Sequence, residues 1–110
     1  QGWKIGLSLY RYAVYALRMI ASFGDKATER LFADERVPAF EAIARRDRLK
    51  LTALHAAARL EDMAVPPSNR LERLKRDLKE FHSVRINDQW RLIFRWSEGK
   101  AFDVRIVDYH

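Results

Sequence analysis

The last three residues of the sequence, Asp108, Tyr109 and His110, set a carboxylate, a phenol and an imidazole side by side after the alternating run "DVRIV". Chain ends are usually the frayed part of a domain, so these groups are either a solvated tail or reactive groups held in place. Upstream, Arg85, Arg91, Arg95 and Arg105 fall at alternate positions of strand-like runs. A guanidinium is planar, permanently charged and matched to phosphate oxygens. The arginines therefore admit two readings, the solvated face of a sheet or a phosphate-binding surface.

Either reading needs a sheet to align these residues. From Asn69 onward the apolar period is 2: "RLERLK" (70–75), "FHSVRIN" (81–87), "WRLIFRW" (90–96) and "AFDVRIV" (101–107) read as strands, with "RDLKE" as a charged loop. Asn87-Asp88-Gln89 and Ser97-Glu98-Gly99-Lys100 close the hairpins, with Gly99 free to adopt positive φ. Before them, "MIASF" (19–23) is a short strand, and Asp25 is placed to cap a helix that buries Leu31 and Phe32. A second helix is expected from Pro38 to about Leu60, with Phe40, Ile43, Leu51, Leu54 and Ala58 inward and "RRDR" (45–48) in water. Strand, helix, helix and four strands imply an α+β domain with the helices on one face of an antiparallel sheet.

Alternation assigns the two faces. Val84, Ile86, Trp90, Leu92, Phe94, Trp96, Phe102, Val104 and Ile106 should pack beneath the helices. The opposite parity carries the four arginines, interrupted by Ile93 and Asp103. With neighbouring strands ~4.8 Å apart, the expectation is a compact cationic field facing one acid. Like charges on facing strands repel, and a phosphate seated among them would relieve this.

Length and charge narrow the classes. The 110 residues, 48% hydrophobic and 33% charged, suit one folded domain and argue against disorder. Of 21 basic residues, 15 are arginine, and the net charge of +6 points to a polyanionic partner. There is no cysteine, hence no disulfide framework or thiolate metal site. His55, His82 and His110 lack metal-ligand spacing, and no glycine-rich nucleotide loop occurs, so no metal and no cofactor are expected. His55 and His82 read as structural or partly buried. The apolar run near the start is interrupted by Arg11 and is shorter than the ~20 residues a membrane span requires. Residues 1–18 read as an N-terminal extension, with Gln1-Gly2 as a tag scar, and residues 19–110 as the domain.

The stretch "NRLERLKRDLKEFHSVRINDQWRLIFRWSEGKAFDVRIVDYH" (69–110) resembles the C-terminal half of HigB-type toxins of the RelE/ParE superfamily, through the order and spacing of "RLxxLK", "HSVRINDQWRLIFRW" and "DYH". Residues 19–60 fit the strand and two-helix start of that family. The resemblance implies a RelE-like fold: a short N-terminal strand and two helices packed on one face of a mainly antiparallel four- to five-stranded sheet. It also implies a cytoplasmic type II toxin acting as a ribosome-dependent, metal-free mRNA endonuclease. Its partners would be the ribosome, mRNA in the ribosomal A site and a HigA-type helix-turn-helix antitoxin. Carried over by position, the catalytic roles fall on Asp108, Tyr109, His110 and Arg91. Glu72 stands where several relatives have histidine, which leaves the proton acceptor open. Lys75, Arg73, Arg85, Arg95 and Arg105 would bind phosphate. The alternatives are a ParE-like gyrase poison, against which the complete "DYH" argues, and a non-catalytic RNA- or protein-binding module.

Overall fold

The computed structural model describes residues 20–109; residues 1–19, with the expected extension, and His110 lie outside the described residues. Alternating apolar residues from Phe81 onward form three long strands, β2 (Phe81–Arg85), β3 (Trp90–Ser97) and β4 (Lys100–Asp108), preceded by the two-residue β1 (Glu72–Arg73). They pair in the order β1-β2-β3-β4, each antiparallel to the next. The β3–β4 turn places both Glu98 (φ 50°) and Gly99 (φ 76°) in the left-handed region, the geometry that suits a two-residue hairpin to strand twist. In the β2–β3 turn the Asn87 side-chain oxygen accepts the amides of Gln89 and Trp90 at 2.8 and 2.7 Å.

The N-terminal segment lies parallel to β4 through bridges from Ile20 to Ala101 and Phe23 to Val104. At Gly24 a Cβ would stand 3.0 Å from the Asp103 carbonyl oxygen, so any larger residue would push the turn and β4 apart by a few tenths of an ångström. Asp25 then caps α1 (Lys26–Phe32), accepting the Thr28 amide at 2.8 Å. Thr28 Oγ1 in turn accepts the Ile106 amide at 3.0 Å and ties α1 to β4.

The second helix is shorter than its apolar pattern suggested. Pro38 opens a 3-10 turn (Pro38–Ile43), α2 spans Ala44–Ala56, and extended backbone at Ala57 stops it. Ala57 consequently enters the core in place of Ala58. Leu31, Leu51, Leu54, Met63, Val84, Leu92, Phe94 and Val104 are at most 1% exposed and form the centre of the core between helices and sheet.

Three expectations are corrected. Asp47, placed in water with "RRDR", is 1% exposed; it lies four residues from both Ile43 and Leu51, on the buried side of the helical repeat. The strand expected at 70–75 pairs only at Glu72 and Arg73 before Arg76, at φ 57°, turns the chain into a 3-10 turn. Phe102, expected beneath the helices, faces the other way. A bulge at Asp103 (φ 52°) shifts the register, so that Ile93 opposes Arg105 while Arg95 opposes Phe102 and Trp96 opposes Ala101. One extra residue reverses the parity of everything before it, and Ala101, fully buried, takes the inward place.

Candidate active site

The open face of the sheet brings three of the expected catalytic residues together. Glu72 on β1 opposes Ser83, and Arg85 opposes Arg91, so Arg91 reaches diagonally toward β1. Its Nη1 lies 3.4 Å from both Glu72 Oε1 and Ser83 Oγ. Its Cζ stands 4.6 Å from the Tyr109 ring centroid, within range of cation–π attraction. The side chain is only 13% exposed, so its charge is screened less than that of an ordinary surface arginine.

The end of the chain is fastened to the β2–β3 turn. Beyond the last ladder pair, Trp90 with Asp108, the Tyr109 amide donates to the Gln89 carbonyl oxygen at 2.6 Å. The Gln89 side-chain amide donates to Asp108 Oδ2 at 3.0 Å. Asp108 and Tyr109 are thus held against β3, and the phenol leans over Arg91. His110 lies outside the described residues.

Two clefts flank Tyr109. One, of about 470 Å³, is lined by Leu74, Leu78, Ile93, Arg105, Val107 and Asp108 with Tyr109. The other, of about 440 Å³, is lined by Glu72, Arg73, Leu74, Lys75 and Leu78 with Tyr109. Aliphatic side chains line both clefts beside the cations Arg105, Arg73 and Lys75 and the acids Asp108 and Glu72, a seat for a planar ring with cations in reach of its anionic backbone. Arg105 lies with its Cζ 5.6 Å from the Phe81 ring centroid, and its Nε is buried without a hydrogen-bond partner among the described residues.

The even cationic field expected from strand parity is broken up. Arg91 meets Glu72, Arg95 meets Asp103 at 2.7 Å, and Arg85 pairs with Asp88. Among the described residues Arg105 is the member of the four without an ion pair. Glu72 and Asp88 come from outside the three long strands, where face counting could not place them. Arg95 is directed to a separate cleft with Arg73, Glu80, His82 and Trp96. Arg85 lines a groove beside α2.

Reasoning from the sequence missed Ser83, Gln89, Leu74 and Leu78. Ser83 shares parity with Arg85 and could have been found by that signal; Gln89 sits in a turn and carries none. Both inner histidines serve the fold. His55 Nδ1 accepts the Ile20 amide at 3.2 Å, and His82 packs 6.0 Å from the Phe94 ring. Burial lowers both pKa values, for His82 with help from Arg73.

Residues 21–110 match the family model described as the RelE-like toxin of the type II toxin-antitoxin system HigB. The chain belongs to the HigB-like toxins. Toxin HigB-1 of Vibrio cholerae serotype O1 is 37% identical over 87 residues, covering 77% of this chain and 92% of that protein. An uncharacterized protein of Haemophilus influenzae is 33% identical over 52 residues, covering 47% of this chain and 52% of its own. The YoeB dimer structure from Staphylococcus aureus superposes with a TM-score of 0.50 at 21% identity over 84% of this chain and 98% of that one, and so shares the fold. As a HigB-like protein the chain is the toxin of a type II toxin–antitoxin pair, which implies an antitoxin partner.

Proposed function

We propose that this HigB-like toxin is a ribosome-dependent, metal-free mRNA endonuclease of the cytoplasm, with mRNA in the ribosomal A site as substrate. Its neutralising partner would be a HigA-type helix-turn-helix antitoxin. The observation that carries the reading is the packing of Arg91 between Glu72, Ser83 and Tyr109, below clefts rimmed by Lys75, Arg73 and Arg105. In such a reaction the ribose 2′-oxygen bonds to the adjacent phosphorus and the bond from phosphorus to the 5′-oxygen breaks. A base takes the 2′-hydroxyl proton, an acid supplies one to the departing 5′-oxygen, and a 2′,3′-cyclic phosphate remains.

Arg91 is positioned to neutralise the charge that grows on the phosphoryl oxygens, and its buried stem and two polar partners fix it in advance. Tyr109 offers a ring for stacking and a hydroxyl for a phosphate oxygen. Proton transfer falls to His110, because histidine is the side chain suited to giving and taking protons near neutrality, with Glu72 as the second group. The family match begins at residue 21, which supports reading 19–110 as the toxin domain and 1–18 as an extension.

The test is induction in a bacterium lacking the antitoxin, with mRNA followed by primer extension. Growth arrest with cleaved mRNA, relieved in a folded His110→Ala variant, is the expected result. Arrest with intact mRNA and damaged DNA topology would overturn the reading.

A further inference from the structure

On the helical side a second groove, of about 480 Å³, runs between α2, the segment 65–69 and the end of β2. Among the described residues it shares no lining residue with the two clefts at Tyr109. Among the described residues three cations line it, Arg46, Lys50 and Arg85, the last already paired with Asp88, and the described lining holds no acid and no aromatic residue. Two aliphatic side chains stand at the same groove in water, Leu49 at 64% and Val65 at 73% exposure. Among the described residues the remaining exposed large apolar side chain is Tyr109. Exposed apolar groups ringed by charge mark an interaction surface.

The scaffold beneath is built. Asn69 is 2% exposed and donates to the Met63 and Val65 carbonyl oxygens at 3.0 and 3.2 Å. Its side-chain oxygen accepts from Lys50 Nζ, which fixes that ammonium in the groove. Burial, with the like charges of Arg46 and Arg85, holds the Lys50 pKa below its ordinary value. An anion in the groove would relieve that crowding.

We propose that this groove receives an acidic, amphipathic segment of the antitoxin. Carboxylates would meet Arg46 and Lys50, and apolar side chains would cover Leu49 and Val65, as an amphipathic segment does when it enters a groove. A polynucleotide fits less well, because surfaces that grip unpaired bases stack them on aromatic rings and the described lining residues include none. Residues 1–18 carry Lys4, Arg11 and Arg18 with no acid, and a second copy of the chain carries a net +6, so neither complements the groove. The proposal rests on the toxin reading for the existence of an antitoxin and adds where, and by what chemistry, it is gripped.

The experiment uses the full chain and the antitoxin encoded beside its gene. Two variants are compared with wild type, Arg46→Glu with Lys50→Gln, and Leu49→Ser with Val65→Ser. Antitoxin affinity is measured by calorimetry and mRNA cleavage by the antitoxin-free protein. Each variant should bind the antitoxin at least tenfold more weakly while cleavage stays within twofold of wild type. Affinity within threefold of wild type in both variants would overturn the proposal, as would cleavage lost with affinity retained, which marks an RNA surface. If the wild-type chain binds no neighbouring protein, the toxin reading itself fails and the groove loses its occupant, a result distinct from a loss confined to the variants.

Discussion

The Arg91 guanidinium carbon sits 4.6 Å from the Tyr109 ring centroid, while its Nη1 reaches Glu72 and Ser83. The ring and the cation hold each other, so each should matter to the reaction. Arg91→Ala should lower single-turnover mRNA cleavage about 10²-fold or more, the scale of losing one preorganised donor at a developing oxyanion. Arg91→Lys should recover little, because an ammonium lacks the planar fork. Tyr109→Phe should retain more activity than Tyr109→Ala, since the ring is what lies over Arg91.

Two arginines that strand parity makes equivalent should behave differently. Arg95 is neutralised by Asp103 and directed away from Tyr109, whereas Arg105 lines the Tyr109 cleft and has no ion pair among the described residues. Arg105→Ala should therefore weaken RNA binding and flatten its salt dependence. Arg95→Ala should change either by less than about threefold, or under roughly 1 kcal/mol. Filter binding across a salt series separates the two.

Gln89 fastens the end of the chain through a side-chain bond to Asp108 and a main-chain bond to Tyr109. Gln89→Ala removes the first and leaves the second. Global stability should fall by about 1 kcal/mol or less, with a loss of cleavage intermediate between wild type and Arg91→Ala. Urea unfolding and single-turnover kinetics on the same preparation check both halves.

Asp47 is buried, neither carboxylate oxygen has a hydrogen-bond partner among the described residues, and burial pushes its pKa up to about 7 from 3.8. Between those values the folded protein keeps a proton that the unfolded chain releases, so stability falls as pH rises and levels off above about 7. Spread over that interval the loss is on the order of 4 kcal/mol. Asp47→Leu should abolish this slope and exceed wild type in stability at pH 8, as measured by urea midpoints at pH 5 and pH 8.

Much of this molecule was legible because its strands alternate everywhere but at one bulge. Val84, Leu92, Phe94, Val104 and Ile106 turn inward as their parity requires, and Asp25 caps the helix it precedes. The failures share a physical origin. The bulge at Asp103 leaves no mark in a single strand, since a register shift is defined only against the partner. The acids that meet Arg91 and Arg85 lie on β1 and a turn, so counting within β2, β3 and β4 could not find them. Asp47 was hidden by its chemistry, because a charged residue between basic neighbours reads as surface although its spacing from Ile43 and Leu51 places it inside. The clefts beside Tyr109 depend on Leu74, which directly follows β1, and on Leu78, carried by a 3-10 turn where an ordinary charged loop was expected.

The odd residue in β4 sets the phase of the whole hairpin. Deleting Asp103 while keeping both turns would oblige one half of the strand to rotate by 180°. Either Phe102 would be driven under the helices into the space that Ala101 fills, or Tyr109 would leave Arg91 and point into the protein.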